Sequence, residues 1–191
     1  MLSLDPRTTA LVLVDLQNGV FGRTLAPRSG EEALAAGKKL AGRVRTAGAK
    51  VVLVRVAFAE DFADAPGQAV DQPMPRPPGG LRPEWTDLAE GLAQPDDILI
   101  TKRQWGAFYG TELDLQLRRR GVSTIVLGGV ATNFGVESTA REAWEHGYDV
   151  VLAEDACASV SAELHAAAIQ HIFPRIARVV QSADIVLEAK A

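Results

Sequence analysis

What most constrains this chain is a series of short, nearly continuous apolar runs at 9–15, 51–57, 98–102, 124–130 and 150–155. Runs of that length without polar alternation suit strands buried on both faces, the condition of a parallel sheet. Residues 176–180 make a weaker sixth run. Helical patterns separate them. Ser29 and Glu32 read as a capping box, Leu34, Leu40 and Val44 follow at helical spacing, and Gly48 is the stop. Further helices are expected at about 112–120, 133–146 and 161–172, ending at Gly121, at Gly147 and before Pro174, with a short last helix from Ser182. Strands alternating with helices predict right-handed crossovers on a parallel sheet. The expected fold class is therefore α/β, doubly wound and Rossmann-like, in one domain over 1–191.

One segment breaks the rhythm. Residues 58–85 carry Pro66, Pro73, Pro75, Pro77, Pro78 and Pro83, too long a stretch for an ordinary βα loop. Disorder, a cover over a site, or an arm gripping a second subunit all fit it. We expect a homo-oligomer to which residues 66–85 contribute, since proline favours an extended arm over a strand.

With 47% hydrophobic residues the chain can bury a sizeable core, and its net charge of −4 makes a nucleic-acid partner unexpected. The one basic cluster, Arg118 to Arg120, falls at a helix end, where it complements the dipole. A single cysteine rules out an internal disulfide. No apolar stretch near the amino terminus reads as a signal peptide, and none approaches the roughly 20 residues of a membrane span. The expected location is the cytoplasm, with no membrane partner.

Ligands of open α/β sheets bind beyond the carboxyl ends of the strands. Asp15 and Lys102 end two apolar runs there, and 128–135, Gly-Gly-Val-Ala-Thr-Asn-Phe-Gly, joins a third run to a helix. Burial raises a carboxyl pKa and a neighbouring lysine lowers it, a combination typical of tuned acids and bases. Asp15 could equally cap the turn that follows it. The 128–135 segment sets backbone N–H groups at a helix start, suited to an anion or an oxyanion. No dinucleotide fingerprint, P-loop or nucleophile elbow is present. His146, His165 and His171 show no ligand spacing, so no metal and no cofactor is expected. Cys157, far from any histidine in sequence, reads as a buried, inert thiol.

Three motifs together resemble the isochorismatase-like hydrolase superfamily: Leu-Val-Leu-Val-Asp15-Leu-Gln-Asn, Lys102-Arg-Gln-Trp-Gly-Ala-Phe108, and Gly-Gly-Val130-Ala-Thr-Asn-Phe-Gly135-Val-Glu-Ser-Thr. Glu-Asp-Ala-Cys-Ala-Ser159 adds a fourth match. The resemblance implies a six-stranded parallel sheet in order 3-2-1-4-5-6 and a cis peptide between Val130 and Ala131. It places Asp15 and Lys102 at the Asp and Lys of the family's Asp-Lys-Cys triad and puts Gly135 at the cysteine. Amidase-type members need that thiolate for an acyl intermediate; isochorismatases proper lack it and resemble acid catalysts of vinyl-ether hydrolysis. Gln104 and Gly106 depart from the Arg and Ser that isochorismatases tend to show.

The resemblance thus implies a hydrolase of a small, anionic substrate. Asp15 would be its general acid, Lys102 would orient that acid, and residues 130–135 (Val130, Ala131, Thr132, Phe134 and Gly135 among them) would supply backbone donors. Phe21, Trp105, Phe108 and Phe134 are candidate apolar walls, or simply core. The rival readings are a binding or scaffold protein descended from an enzyme, and an amidase-like hydrolase using water directly.

Overall fold

The computed structural model describes residues 1–189. Strands β1 (Leu2–Leu4) and β2 (Thr9–Val14) lead to a short helix α1 (Asn18–Phe21) and the long helix α2 (Gly30–Thr46). Then come β3 (Lys50–Val56), β4 (Ile98–Lys102), α3 (Leu113–Arg118), β5 (Thr124–Val130) and α4 (Glu137–Glu145). The chain ends with β6 (Asp149–Ala158), α5 (Ala162–Ala167), α6 (Phe173–Ile176), β7 (Arg178–Val180) and β8 (Ile185–Leu187). Six strands form one parallel sheet in the order β4-β3-β2-β5-β6-β7, the expected doubly wound topology. Each face of the sheet carries its own core. Val12, Val14, Val54, Ile100 and Leu127 pack with Leu113 and Leu117 of α3 and Ala140 of α4. On the opposite face Leu11, Leu13, Leu53 and Val126 pack with Leu40 and Val44 of α2.

The capping box stands at the start of α2. Ser29 Oγ accepts from the Glu32 N–H and the Glu32 carboxylate accepts from the Ser29 N–H. Other boundaries shift. The helix expected over 133–146 opens as a π-helical turn, 132–136, before α4. The helix expected to stop before Pro174 instead passes through a π-helical stretch, 168–172, into α6. Pro174 is tolerated there because it occupies the first turn. The last helix is one 3₁₀ turn at Ser182–Asp184, followed by β8, which pairs in parallel with β1. Three-residue strands show no usable period, so this small second sheet was not expected.

Strand β6 outruns its predicted length. Leu127 faces Leu152, but Gly129 faces Cys157, so β6 carries extra residues against β5. Such a bulge re-aims side chains, and here it leaves Glu154 and Asp155 without partners on β5. The proline-rich excursion is clasped to the body where it returns. Gln17, fully buried, bonds the Val56 N–H and carbonyl and the Trp85 carbonyl. The indole of Trp85 occupies the space a side chain at position 19 would need, which Gly19 leaves open. Residues 66–79 are exposed throughout. Among the described residues no helix is long and apolar enough to cross a membrane.

Candidate active site

Strand β2 stops at Val14, and Asp15 turns the chain with φ +53°, a left-handed conformation that Asp tolerates better than most residues. Its N–H is bonded to the Val54 carbonyl at 2.8 Å. The side chain does not cap the next turn. Its Oδ2 accepts from Lys102 Nζ at 2.7 Å, and the ammonium also donates to the Gln104 carbonyl at 3.0 Å. Both residues are buried, Lys102 at 2% exposure and Asp15 at 6%. The second carboxylate oxygen, Oδ1, is buried with no partner. Burial pushes the Asp15 carboxyl up and the Lys102 ammonium pulls it back, leaving it at about 6.

Gly135 lies against this pair. A Cβ there would stand 3.2 Å from Asp15 Oδ2, 3.2 Å from Val14 Cγ1 and 3.4 Å from the Trp105 carbonyl oxygen. A side chain at position 135 would therefore touch the carboxylate directly. The preceding Val130–Ala131 peptide is cis, as the resemblance implies. Two donors of the turn are already committed, since the Phe134 and Val136 N–H groups both bond the Ala131 carbonyl. Thr139 ties the turn to the loop after β4: its hydroxyl donates to the Gly135 carbonyl at 2.7 Å and accepts from the Ala107 N–H at 3.2 Å.

That loop accounts for one departure from the isochorismatase pattern. The Glu142 carboxylate accepts from the Phe108 N–H at 3.2 Å, and a Cβ on Gly106 would fall 2.1 Å from Glu142 Oε2. Position 106 has no room for serine while Glu142 stays in place. The Gln104 side chain donates to the Tyr109 carbonyl.

The proposed walls separate. Trp105, largely exposed, and Phe134 pack ring to ring at 4.8 Å. Phe108 is buried in the core against Tyr148 and His146. Phe21 packs partly buried on the core of the α2 face, as does Ala131, and Val130 is part of that core. Cys157 is fully buried, its thiol on the Ala153 carbonyl at 3.4 Å and pushed by burial up to about 12, which leaves it un-ionised at neutral pH. Among the described residues no group of three or more His, Cys, Asp or Glu side chains is gathered for a metal. A groove of about 700 Å³ between α2 and β8, lined by Lys38, Lys39 and Arg43, includes none of these residues.

A second polar cluster, missed in the sequence, stands behind the turn. Thr132, fully buried, is 2.8 Å from His165 Nδ1, and His165 Nε2 is 2.9 Å from Glu154 Oε1. Arg28 pairs with the same Oε1 at 2.6 Å, and Gln181 donates to Oε2 at 2.8 Å. The available signal was Glu154 at the end of an apolar run; nothing local links it to His165 or Thr132.

An isochorismatase domain model matches residues 9–184 of the chain. The chain belongs to the isochorismatase family. It is a hydrolase of that family. It is 51% identical to the isochorismatase family protein YecD of Escherichia coli O157:H7 over 191 residues, covering 99% of this chain and 100% of that one. It is 33% identical to the ureidoacrylate amidohydrolase RutB of Rhizobium rhizogenes, over 81% of this chain and 72% of that one. Among solved structures, an isochorismatase family protein from Burkholderia thailandensis superimposes with a TM-score of 0.91 at 44% identity, covering 97% of this chain and 96% of that one.

Proposed function

We propose that this family member hydrolyses a small, anionic substrate by acid–base catalysis at Asp15, without a covalent intermediate. The observation that carries this reading is the buried Asp15 carboxyl. One oxygen is held by Lys102, the other is unpartnered, and the carboxyl faces a position at which Gly135 leaves no nucleophile. A carboxyl brought to about 6 holds a proton in an appreciable fraction of molecules near neutral pH, as a general acid requires.

With a vinyl ether as substrate, Asp15 would give its proton to the terminal carbon. Water would add to the resulting cation and return a proton to Asp15, and the adduct would collapse to a carbonyl compound and an alcohol. Lys102 would orient the carboxyl and attract an anion, and Trp105 and Phe134 would flank the entrance. The likeness to an amidohydrolase favours a second reading, in which Asp15 activates water against an amide. Assay of the purified protein on vinyl ethers such as isochorismate and on small amides separates the two. Turnover that survives thiol alkylation and disappears in Asp15→Asn supports the proposal; turnover lost on alkylating Cys157 in a folded protein contradicts it. We also propose a cytoplasmic homo-oligomer with residues 66–85 in the contact; a monomer by light scattering at micromolar concentration would contradict that.

A further inference from the structure

The Thr132–His165–Glu154 cluster has a directional logic. Glu154 receives bonds from Arg28 and Gln181 as well as facing His165. Burial pushes its carboxyl up, but these bonds together outweigh that and hold it below the ordinary range. An ionised carboxylate can only accept, so the hydrogen shared with it sits on His165 Nε2. Burial holds His165 below its ordinary pKa against the opposing pull of Glu154, so the ring is neutral at neutral pH. Nδ1 is then an acceptor, and the Thr132 hydroxyl must donate to it.

We infer that Glu154 and His165 are positioning residues for the 131–135 turn, fixing the direction of the Thr132 hydroxyl and with it the placement of Gly135 against Asp15. This rests on the site proposed above. Thr132 is the first residue of the π-helical turn, and its hydroxyl bonds a group outside that turn. Glu154 gathers its partners from three parts of the chain. Arg28 comes from the loop after α1, where Ala26 also pairs with Ser159; His165 comes from α5, and Gln181 follows β7. Arg28 and Glu154 are the charged groups that act on His165. Acid reverses the device: a protonated ring donates from both nitrogens, so the Thr132 hydroxyl must become the acceptor and its own hydrogen must leave Nδ1.

Nitrogen-15 NMR of the histidine rings, with backbone amide and Asp side-chain spectra, tests this on the intact protein without any substrate. At pH 8 the His165 ring should be the Nε2–H tautomer. Acidification through the His165 transition should move the Gly135 amide with it. Thr132→Val, which keeps shape but removes the hydroxyl, should shift both the Gly135 amide and the Asp15 carboxyl, and Thr132→Ser should restore them. His165→Asn, which can still accept from Thr132, should perturb Gly135 less than His165→Ala. On a substrate, Thr132→Val should lower kcat on the order of 10- to 100-fold with KM little changed. An Nδ1–H tautomer, or a Gly135 amide indifferent to Thr132→Val and to His165 titration, overturns the inference. Either result can occur whether or not Asp15 proves to be the acid, so the two readings fail separately.

Discussion

Two carboxylates sit near the carboxyl edge of the same sheet, each beside a basic group, and they behave oppositely. Glu154 has both oxygens bonded, to Arg28, His165 and Gln181, and lies below the ordinary range. Asp15 has one oxygen on Lys102 and one bare, and lies at about 6. Asp15 is buried and Glu154 only partly so; they differ both in burial and in the number of donors they receive. A saturated carboxylate is a fixed acceptor around which structure is built. An under-bonded one carries an unmet demand that a proton, a water or a substrate can satisfy. That difference fits the roles proposed above, Glu154 in positioning and Asp15 in chemistry.

The comparison breaks most visibly at Asp15. Asp15→Asn keeps the shape and removes the transferable proton, so activity should drop by about 10²–10⁴-fold. It also strands the buried Lys102 ammonium, at a cost on the order of 3–5 kcal/mol in thermal or denaturant unfolding. Asp15→Asn/Lys102→Met should recover stability without recovering activity. A double variant as active as the unmodified protein would remove Asp15 from the reaction.

Gly106→Ser comes next. The new side chain must displace the Glu142 carboxylate, leaving the Phe108 N–H without its acceptor, so unfolding free energy should fall by about 1–3 kcal/mol. Adding Gly106→Ser to Glu142→Ala should cost much less than adding it to the unmodified protein; an equal added cost in both backgrounds would mean that Glu142 is not the obstacle.

Lys102→Met sharpens the electrostatic half. Removing the ammonium leaves burial unopposed, so Asp15 should titrate above 6. A general-acid rate, which falls as pH rises through the Asp15 pKa, should then persist to higher pH. The stability sign follows from the same raised pKa. The folded state holds the Asp15 proton after the unfolded chain has lost it, so this group's contribution is full below about 4 and is lost as pH rises toward 6. An unmoved high-pH limb in Lys102→Met would detach the lysine from Asp15.

The smallest effect belongs to Cys157→Ser, which should leave the rate within about twofold. Its thiol is buried, un-ionised and bonded to the Ala153 carbonyl, and general acid catalysis at Asp15, as proposed, makes no use of it.

What could be read from the chain divides along the same line. Asp15 and Lys102 were legible because each ends an apolar run, and strand ends in an open α/β sheet converge at one edge. The strands, their order and the cap of α2 were legible because their signals are local or belong to the family pattern. The Glu154 cluster was not, since it joins Thr132 to His165 across 33 residues through a bulge that shows only once β6 is paired with β5. Nor was the clasp of Trp85 on Gly19, or the pairing of β1 with β8 from opposite ends of the chain. Phe108 and Phe134 look alike in sequence, yet one is buried core and the other packs on an exposed Trp105; neighbours in space decide that.

The most direct test is a carbon-13 NMR titration of the Asp15 side-chain carboxyl in the intact, unliganded protein, assigned by its loss in Asp15→Asn. A midpoint near 6, moving upward in Lys102→Met, is the predicted result. A midpoint near 4, the ordinary carboxylate range, would mean that the site holds no transferable proton near neutral pH and would contradict the account.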